Sequence, residues 1–70
     1  MVLRSVFGMN IKYHRIRQGL TQEEAAEKCK ISPEYWGKME RGAQAATLDI
    51  VEKVSDGLNV PAKDLFTEVT

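Results

Sequence analysis

Apolar residues recur along this chain at helical spacing. Phe7, Ile11 and His14 stand at i, i+4 and i+7, which places them on one stripe of a helix predicted over Ser5–Gln18. Gly19 then supplies the left-handed residue that commonly ends a helix. No window alternates between apolar and polar residues at a period of two, as a half-buried strand would. The pattern therefore predicts an all-α chain.

Two short helices are predicted between residues 21 and 42, each with its own start signal. Thr21 and Glu24 have the spacing of a capping box, in which each side chain bonds to the backbone N–H of the other residue. Ser32 is the expected cap of the second helix, and Pro33 stands at its first position, where a missing N–H costs nothing. Gly42 closes this helix. The stretch thus predicts a helix, a tight turn and a second helix.

The inner faces of this helix pair carry small or apolar residues, namely Ala25, Ala26, Cys29, Trp36 and Met39. We expect Trp36 to pack in the core with Met39 rather than to stack on a base, because the two share one helix face. Gly37, in the middle of the second helix, costs about 1 kcal/mol relative to alanine. We therefore expect a close backbone approach at that point.

Two further helices are predicted in the rest of the chain. Thr47 caps a fourth helix that ends at Gly57–Asn59 and has an apolar stripe formed by Leu48, Val51, Val54 and Leu58. Pro61 opens a fifth, PAKDLFTEV, in which Leu65 and Phe66 pack back on the core. Since the chain has no repeat, linker or low-complexity segment, we expect residues 1–70 to form one domain.

Composition excludes several classes of protein. Hydrophobic residues are 43% and charged residues 29%, as in an ordinary globular domain. Cys29 is the only cysteine and His14 the only histidine, so neither an internal disulfide nor a metal site is expected. No apolar run approaches the roughly 20 residues that span a bilayer, and no secretion signal is evident. We therefore expect a cytoplasmic protein without a cofactor.

Charge gives a mixed indication about nucleic acid. Ten basic and ten acidic residues give a formal net charge of zero, which is unusual for a protein that binds DNA or RNA. Residues 1–22, however, carry four bases and no acid, whereas residues 23–70 carry six bases and ten acids. One face can therefore be basic, although only weak electrostatic steering is expected.

Three motifs together carry a family resemblance: R-x-x-x-G-L-T-Q-E-E-x-A (15–26), I-S-P-E-Y-W-x-x-M-E-R-G (31–42) and T-L-x-x-V-x-K-V-x-x-x-L-x-V (47–60). Over about 55 of its 70 residues the chain resembles the helix-turn-helix domain of the Cro/phage-repressor (XRE) family. In length and layout it also resembles the controller proteins of restriction–modification systems. The resemblance implies a lambda-repressor-like bundle of five helices. It also implies a transcriptional regulator that binds double-stranded DNA with helix three, about residues 33–41, in the major groove.

The resemblance assigns roles to individual residues. Gln22 would contact a phosphate from the start of helix two, and Arg15 would form a structural ion pair with Glu40. Helix three would present Pro33, Glu34 and Lys38 to the bases. The rest of the implied DNA-binding set consists of Ser32, Tyr35, Arg41 and Gln44. For two of these residues the side-chain chemistry agrees with a base-reading role, because Lys38 can donate to guanine and Glu34 can accept from cytosine.

Two departures from the family pattern bear on affinity. The loop Ala43–Ala46 stands where many relatives carry lysine or arginine, and Gly37 stands where a small polar residue is common. We therefore expect weak DNA binding by a monomer and stronger binding by a homodimer on two half-sites. The expected dimer contacts are Ile50, Phe66 and Val69.

A second hypothesis stays open beside the regulator. Zero net charge and the alanine-rich loop are also compatible with a protein-interaction module, antitoxin-like or bridging, that retains the helix-turn-helix shell. Lys38, Glu34 and Gln22 would then be solvated surface groups. No nucleophile–base pair or glycine-rich phosphate loop is evident, so an enzyme is not expected. Neither a membrane nor a small-molecule ligand is indicated.

Overall fold

The computed structural model describes residues 2–68, and these residues form a helical bundle. Its elements, in chain order, are α1 (Leu3–Arg17), α2 (Gln22–Lys28), α3 (Pro33–Glu40), α4 (Leu48–Leu58) and a 3-10 turn (Ala62–Leu65). No strand occurs in residues 2–68, and the predicted all-α class is confirmed. The prediction of a fifth α-helix is wrong, because the segment after Pro61 forms only the 3-10 turn. None of the helices described combines the length and the apolar character that a membrane crossing requires.

The predicted caps of α2 and α3 are present. Thr21 Oγ1 accepts a hydrogen bond from the Glu24 N–H at 3.1 Å, and Glu24 Oε1 accepts one from the Thr21 N–H at 2.8 Å. Ser32 Oγ accepts from the Tyr35 N–H at 3.1 Å, and Pro33 occupies the first turn of α3. These bonds satisfy backbone donors that have no partner inside the helix, so they fix where both helices begin.

The turn between α2 and α3 contains a strained residue. Lys30 has a φ of 60°, in the left-handed region that glycine adopts most easily. The turn is stabilised by the Ile31 N–H, which donates to the Ala26 carbonyl at 2.8 Å, and by burial of the Ile31 side chain. The placement of α3 relative to α2 is therefore set by a local hydrogen bond in the turn and by one core contact.

A single core joins all these elements. Side chains with at most 1% of their surface exposed come from each of them: Ile11, Ala25, Ala26, Trp36, Met39, Val54, Leu58 and Leu65. The predicted packing of Trp36 and Met39 in the core is confirmed. Burying a large apolar side chain contributes about 1.5–3 kcal/mol, so this core stabilises the position of α3.

Two glycines inside helices have different neighbours. At Gly8 a Cβ atom would collide with the Met39 carbonyl oxygen and would lie 2.9 Å from that of Glu40, so the backbones of α1 and α3 meet there. At Gly37 no backbone atom of another element lies within 4 Å of the Cβ position. The expected close backbone approach at Gly37 is therefore wrong; such approaches occur at Gly8 and at Gly57, where a Cβ would lie 2.8 Å from Cys29 Cα.

Helix α4 begins and ends near the predicted residues, but its first apolar side chain is exposed. Thr47 Oγ1 accepts from the Ile50 N–H at 3.2 Å, and Asn59 ends the helix with a φ of 57°. The buried members of the predicted stripe are Val51, Val54 and Leu58. Leu48 is 87% exposed instead, because the first turn of α4 precedes the part of the helix that reaches the core.

The last segment stops after one 3-10 turn because side chains bind its carbonyl groups. The Thr67 carbonyl accepts from the Asn10 side-chain amide at 2.6 Å, and the Lys63 carbonyl accepts from the Thr67 hydroxyl at 3.3 Å. The bond to the Lys63 carbonyl competes with the bond that a longer α-helix would form between this carbonyl and the Thr67 N–H. The bond from Asn10 ties the segment to α1.

Side chains of this segment pack against the core, as predicted for Leu65 and Phe66. Leu65 has no exposed surface, and the Phe66 ring lies 5.4 Å from the Phe7 ring between centroids. Phe66 and Ile50, both expected dimer contacts, are half-buried rather than exposed. Val69, the third expected dimer contact, lies outside the described residues.

Candidate nucleic-acid interface

Helix α3 has two chemically different faces. Trp36 and Met39 point into the core and have no exposed surface. On the opposite side the Glu34 and Lys38 side chains are 82% and 46% exposed, and Pro33 beside them is exposed as well. The core therefore fixes the helix from one side while these three residues, which we call the α3 outer face, stay in solvent.

Glu34 and Lys38, the two predicted base readers, form an ion pair on this face. Lys38 Nζ lies 3.6 Å from Glu34 Oε1, one helical turn away. An exposed pair of this kind contributes only about 0–1 kcal/mol, so it opens readily when a better partner is offered. The structure thus brings the two side chains together in a state that leaves both available to base edges.

Glu40, at the end of α3, is bound by donors from α1, α2 and α3. Its Oε2 accepts from Arg15 Nε and from Trp36 Nε1, each at 2.6 Å. Its Oε1 accepts from Arg15 Nη2 at 3.1 Å and from Gln22 Nε2 at 3.0 Å. The predicted Arg15–Glu40 pair is confirmed within this group of four residues, which we call the Glu40 cluster.

The electrostatics of the Glu40 cluster favour a charged carboxylate. Burial alone would raise the pKa of Glu40, but hydrogen bonds from Arg15, Gln22 and Trp36 and the charge of Arg15 outweigh burial. They lower the pKa below the ordinary value of 4.5. The Arg15–Glu40 ion pair joins α1 to α3. The Arg15 guanidinium also donates to the carbonyl of Leu20, in the loop between α1 and α2, at 2.9 Å.

Gln22, the predicted phosphate contact, is the first residue of α2 and is exposed. Its amide nitrogen donates one hydrogen to Glu40 Oε1, which holds the side chain across the gap between α2 and α3. An amide nitrogen carries two hydrogens, so one stays available for another acceptor. The Glu40 cluster therefore orients a polar group at the edge of α3.

The other predicted contacts are held by the fold to different degrees. Ser32 is exposed, and its hydroxyl oxygen caps α3. The Tyr35 hydroxyl donates to the Ala45 carbonyl at 2.9 Å, which ties the loop after α3 to the helix. Gln44 is half-buried in that loop, whereas Arg41 is exposed at the end of α3. Tyr35 thus holds this loop in place beside α3.

An apolar groove that the sequence analysis missed lies elsewhere on the surface. Its volume is about 380 Å³, and it is lined by Val2, Leu3, Arg4, Phe7, Ala45, Ala46, Leu48, Val51 and Phe66. None of these residues belongs to α2 or α3. The sequence does contain a sign of this groove, because two apolar residues, Val2 and Leu3, precede the predicted start of helix one. In the structure these side chains are 61% and 56% exposed. We call this feature the Leu48 groove.

The single cysteine is a packing residue rather than a reactive one. Cys29 is buried, and burial raises its pKa to about 11, with the charge of Lys28 acting in the opposite direction. The thiol is therefore protonated at neutral pH. Across residues 2–68, no three His, Cys, Asp or Glu side chains are grouped in a way that could hold a metal ion.

Comparison with known proteins identifies the family that has this geometry. The helix-turn-helix family HTH_3 matches residues 11–65, which is most of the chain. The chain belongs to this helix-turn-helix family. The match confirms the predicted resemblance to the XRE type and includes α2, α3 and α4 in full.

Individual relatives include control proteins and a DNA complex. The chain is 33% identical over 69 residues to the control protein C.BamHI of Bacillus amyloliquefaciens, covering 97% of this chain and 85% of that protein. The crystal structure of the restriction-modification controller protein C.AhdI from Aeromonas hydrophila matches with a TM-score of 0.86 and 28% identity, over 90% of this chain and 96% of that one. The structure of SinR, a master regulator for biofilm formation, in complex with DNA matches with a TM-score of 0.82 and 32% identity, over 87% of this chain and 98% of that one. The predicted similarity to controller proteins is therefore confirmed.

Proposed function

We propose that this protein is a sequence-specific transcriptional regulator that binds double-stranded DNA as a homodimer, with α3 in the major groove. The observation that carries the proposal is the division of α3 into a buried face and the exposed α3 outer face. The major groove admits an α-helix, and in helix-turn-helix proteins the N-terminal residues of the second motif helix contact the bases. The likeness to SinR, whose structure contains DNA, supports this function.

Base reading is assigned to the α3 outer face. Opening of the exposed ion pair lets Lys38 donate to O6 or N7 of guanine and lets Glu34 accept from N4 of cytosine. The carboxylate of Glu34 also repels phosphate, so it improves selectivity at the expense of affinity. A half-site that contains G·C pairs follows from this chemistry.

Positioning on the duplex is assigned to the polar residues around α3. These residues are Gln22, Ser32, Tyr35, Arg41 and Gln44. With a formal net charge of zero, the chain has little long-range attraction for DNA, so one copy is expected to bind weakly. Two copies on half-sites about one helical turn apart would combine their contacts.

The Leu48 groove is the surface we assign to the second copy. A symmetric dimer uses the same patch on both subunits, and this patch contains both a concave groove and the protruding Leu48 side chain. Because α2 and α3 do not line it, its occupation leaves both α3 helices free. We further propose that residues 1–70 act as one DNA-binding unit in the cytoplasm and that binding, not catalysis, is the activity.

Dimerisation through this surface predicts a sensitive variant. Leu48→Asp places an unpaired charge where the two copies meet, so the dimer should weaken by at least about tenfold, since burying such a charge costs more than about 1.4 kcal/mol. Sedimentation equilibrium at several concentrations measures this change. Met9→Asp is the matched control, because Met9 is 53% exposed and does not line the groove. A monomer at all concentrations for the unmodified protein would refute the dimer.

The function itself is tested by selecting duplexes from a random pool with the purified protein at moderate salt. We expect enrichment of a two-fold symmetric site with G·C pairs in each half. Lys38→Ala should change the selected sequence, whereas Gln22→Ala should weaken binding to all sequences alike. No enriched sequence, together with binding that both variants leave unchanged, would contradict the proposal.

A protein-interaction module is the second candidate, favoured by the zero net charge and by the alanine-rich loop. In that case a cellular protein, rather than a second copy, would occupy the Leu48 groove. A stable complex that forms without duplex and is lost in Leu48→Asp, combined with no salt-dependent DNA binding, would favour this candidate.

A further inference from the structure

Gly37 occupies a buried position in α3 that backbone packing does not explain. Only two atoms from outside its immediate neighbourhood lie within 4 Å of the place where its Cβ would be. They are Arg41 Nη1 at 3.3 Å and Gln22 Oε1 at 3.5 Å, both from polar side chains. Glycine therefore leaves a space on α3 that these two side chains cover, and we call it the Gly37 notch.

The Gln22 side chain is fixed over this notch by the Glu40 cluster. Its Nε2 atom donates to Glu40 Oε1 at 3.0 Å, which turns Oε1 of the same amide toward the notch. The partial negative charge of that oxygen favours a cationic neighbour. The second hydrogen of Nε2 is not used by Glu40 and can reach an acceptor outside the protein.

Arg41 reaches back by one helical turn to place its guanidinium in the same space. Within residues 2–68 the ion pairs are Arg15–Glu40 and Lys38–Glu34, so Arg41 pairs with no carboxylate there. Arg41 is also exposed, and a guanidinium offers five donors in a planar fork that suits phosphate oxygens. Of Lys38 and the residue that ends α3, Arg41, only Arg41 lacks a carboxylate partner within residues 2–68.

We propose that the Gly37 notch lets Arg41 lie against α3 beside Gln22, so that Arg41 joins Gln22, the phosphate contact already expected, on one backbone phosphate of duplex DNA. The inference rests on the proposed DNA-binding function and adds a residue to it, since Gly37 acts as a positioning residue for Arg41. A phosphate is the ligand rather than a base, because Arg41 follows the C-terminal end of α3 while the N-terminal residues meet the base edges.

The variant Gly37→Ala tests the notch because it changes stability and binding in opposite directions. Alanine favours the helix, and the exposed Arg41 side chain can move away from the new methyl group, so the melting temperature should rise by about 4–8 °C. The displaced guanidinium should lower affinity for the selected duplex by about tenfold. The slope of log affinity against log salt concentration should also decrease by about two, because each of the two subunits of the bound homodimer loses one phosphate contact.

A double-mutant cycle separates this contact from a general effect on α3. Arg41→Ala should lower affinity by a similar factor, and Gly37→Ala should add little in the Arg41→Ala background, because both changes remove the same contact. Arg17→Ala is the matched control, since it removes a cation that stacks on Tyr13 at the end of α1. It should leave affinity within about twofold, because it removes no phosphate contact.

Two results would overturn the inference while leaving DNA binding intact. One is a Gly37→Ala protein with unchanged affinity and salt dependence. The other is a Gly37→Ala, Arg41→Ala double variant whose loss in binding free energy equals the sum of the losses of the two single variants. If the unmodified protein binds no duplex even at low salt, the proposed function fails, and the phosphate site fails with it.

Discussion

Two ion pairs on α3 use the same chemistry in opposite surroundings. In the Glu40 cluster the side chains of Arg15 and Glu40 are 13% and 3% exposed and approach to 2.6 Å. On the α3 outer face Lys38 and Glu34 are 46% and 82% exposed and lie 3.6 Å apart. Every oxygen of the buried carboxylate has two donors, whereas most of the exposed pair faces solvent.

The difference shows how position on a helix separates a structural role from a recognition role. Lys38 follows Glu34 by one turn and shares its face. Glu40 follows Lys38 by two positions, which rotates it by about 200° toward α1. A glutamate on one side of the helix therefore fixes the fold, and a glutamate on the other side stays in solvent, where the proposed recognition would use it.

The largest expected effect comes from breaking the buried pair. Glu40→Ala leaves the partly buried Arg15 guanidinium without a counter-ion and the Trp36 N–H without its acceptor, so the free energy of unfolding should fall by about 3–5 kcal/mol. Urea denaturation followed by the fluorescence of Trp36, the only tryptophan, measures this change.

The exposed pair provides the control for this experiment. Glu34→Ala should change the unfolding free energy by less than about 0.5 kcal/mol. If Glu40→Ala leaves too little folded protein to measure, Glu40→Gln retains one acceptor oxygen and should give an intermediate loss. Equal losses for Glu34→Ala and Glu40→Ala would show that burial does not distinguish the two pairs.

Acid should weaken the buried pair in a defined direction. The pKa of Glu40 is lower in the folded protein than its ordinary value of 4.5, so the unfolded chain binds more protons around that pH. The stability that Glu40 contributes is therefore complete above about pH 4.5 and is lost as the pH falls through the lower pKa of the folded state. Unfolding free energies measured from about pH 6 to about pH 3 test this, and the decline should be smaller in Glu40→Gln. The same decline in both proteins would contradict the assignment to Glu40.

A small effect on stability, and a large one on recognition, is expected from reversing the exposed pair. The double variant Glu34→Lys, Lys38→Glu keeps the net charge and an ion pair but reverses two favourable interactions with the dipole of α3, so the unfolding free energy should fall by about 0.5–1 kcal/mol. Donor and acceptor are exchanged, however, so the sequence enriched from a random duplex pool should change at the bases they contact. An unchanged preference would mean that these two side chains do not read bases.

Local signals made much of the fold predictable from the sequence. The capping box at Thr21, the Ser32-Pro33 start of α3 and the Thr47 cap each act within one helical turn, so their residue types suffice to place them. The buried face of α3 followed from the spacing of Trp36 and Met39.

Contacts between residues far apart in the sequence were harder to predict. The Asn10 bond to the Thr67 carbonyl ties the last segment to α1, and no pattern within that segment predicts this bond. The α1–α3 contact at Gly8 and the exposure of Leu48 likewise depend on how helices are placed relative to one another. At the candidate site the Arg15–Glu40 pair followed from the family resemblance, but the bond from Gln22 to Glu40 did not.

The separation of the two faces of α3 also has a consequence for engineering. Pro33, Glu34 and Lys38 lie outside the core, and the bonds of the Glu40 cluster involve none of them. Glu34 and Lys38 can therefore be randomised together while the scaffold, including the start of α3 at Pro33, remains constant. Under the proposed base reading, a library built on these two positions would sample new operator preferences without a matching search for stabilising mutations.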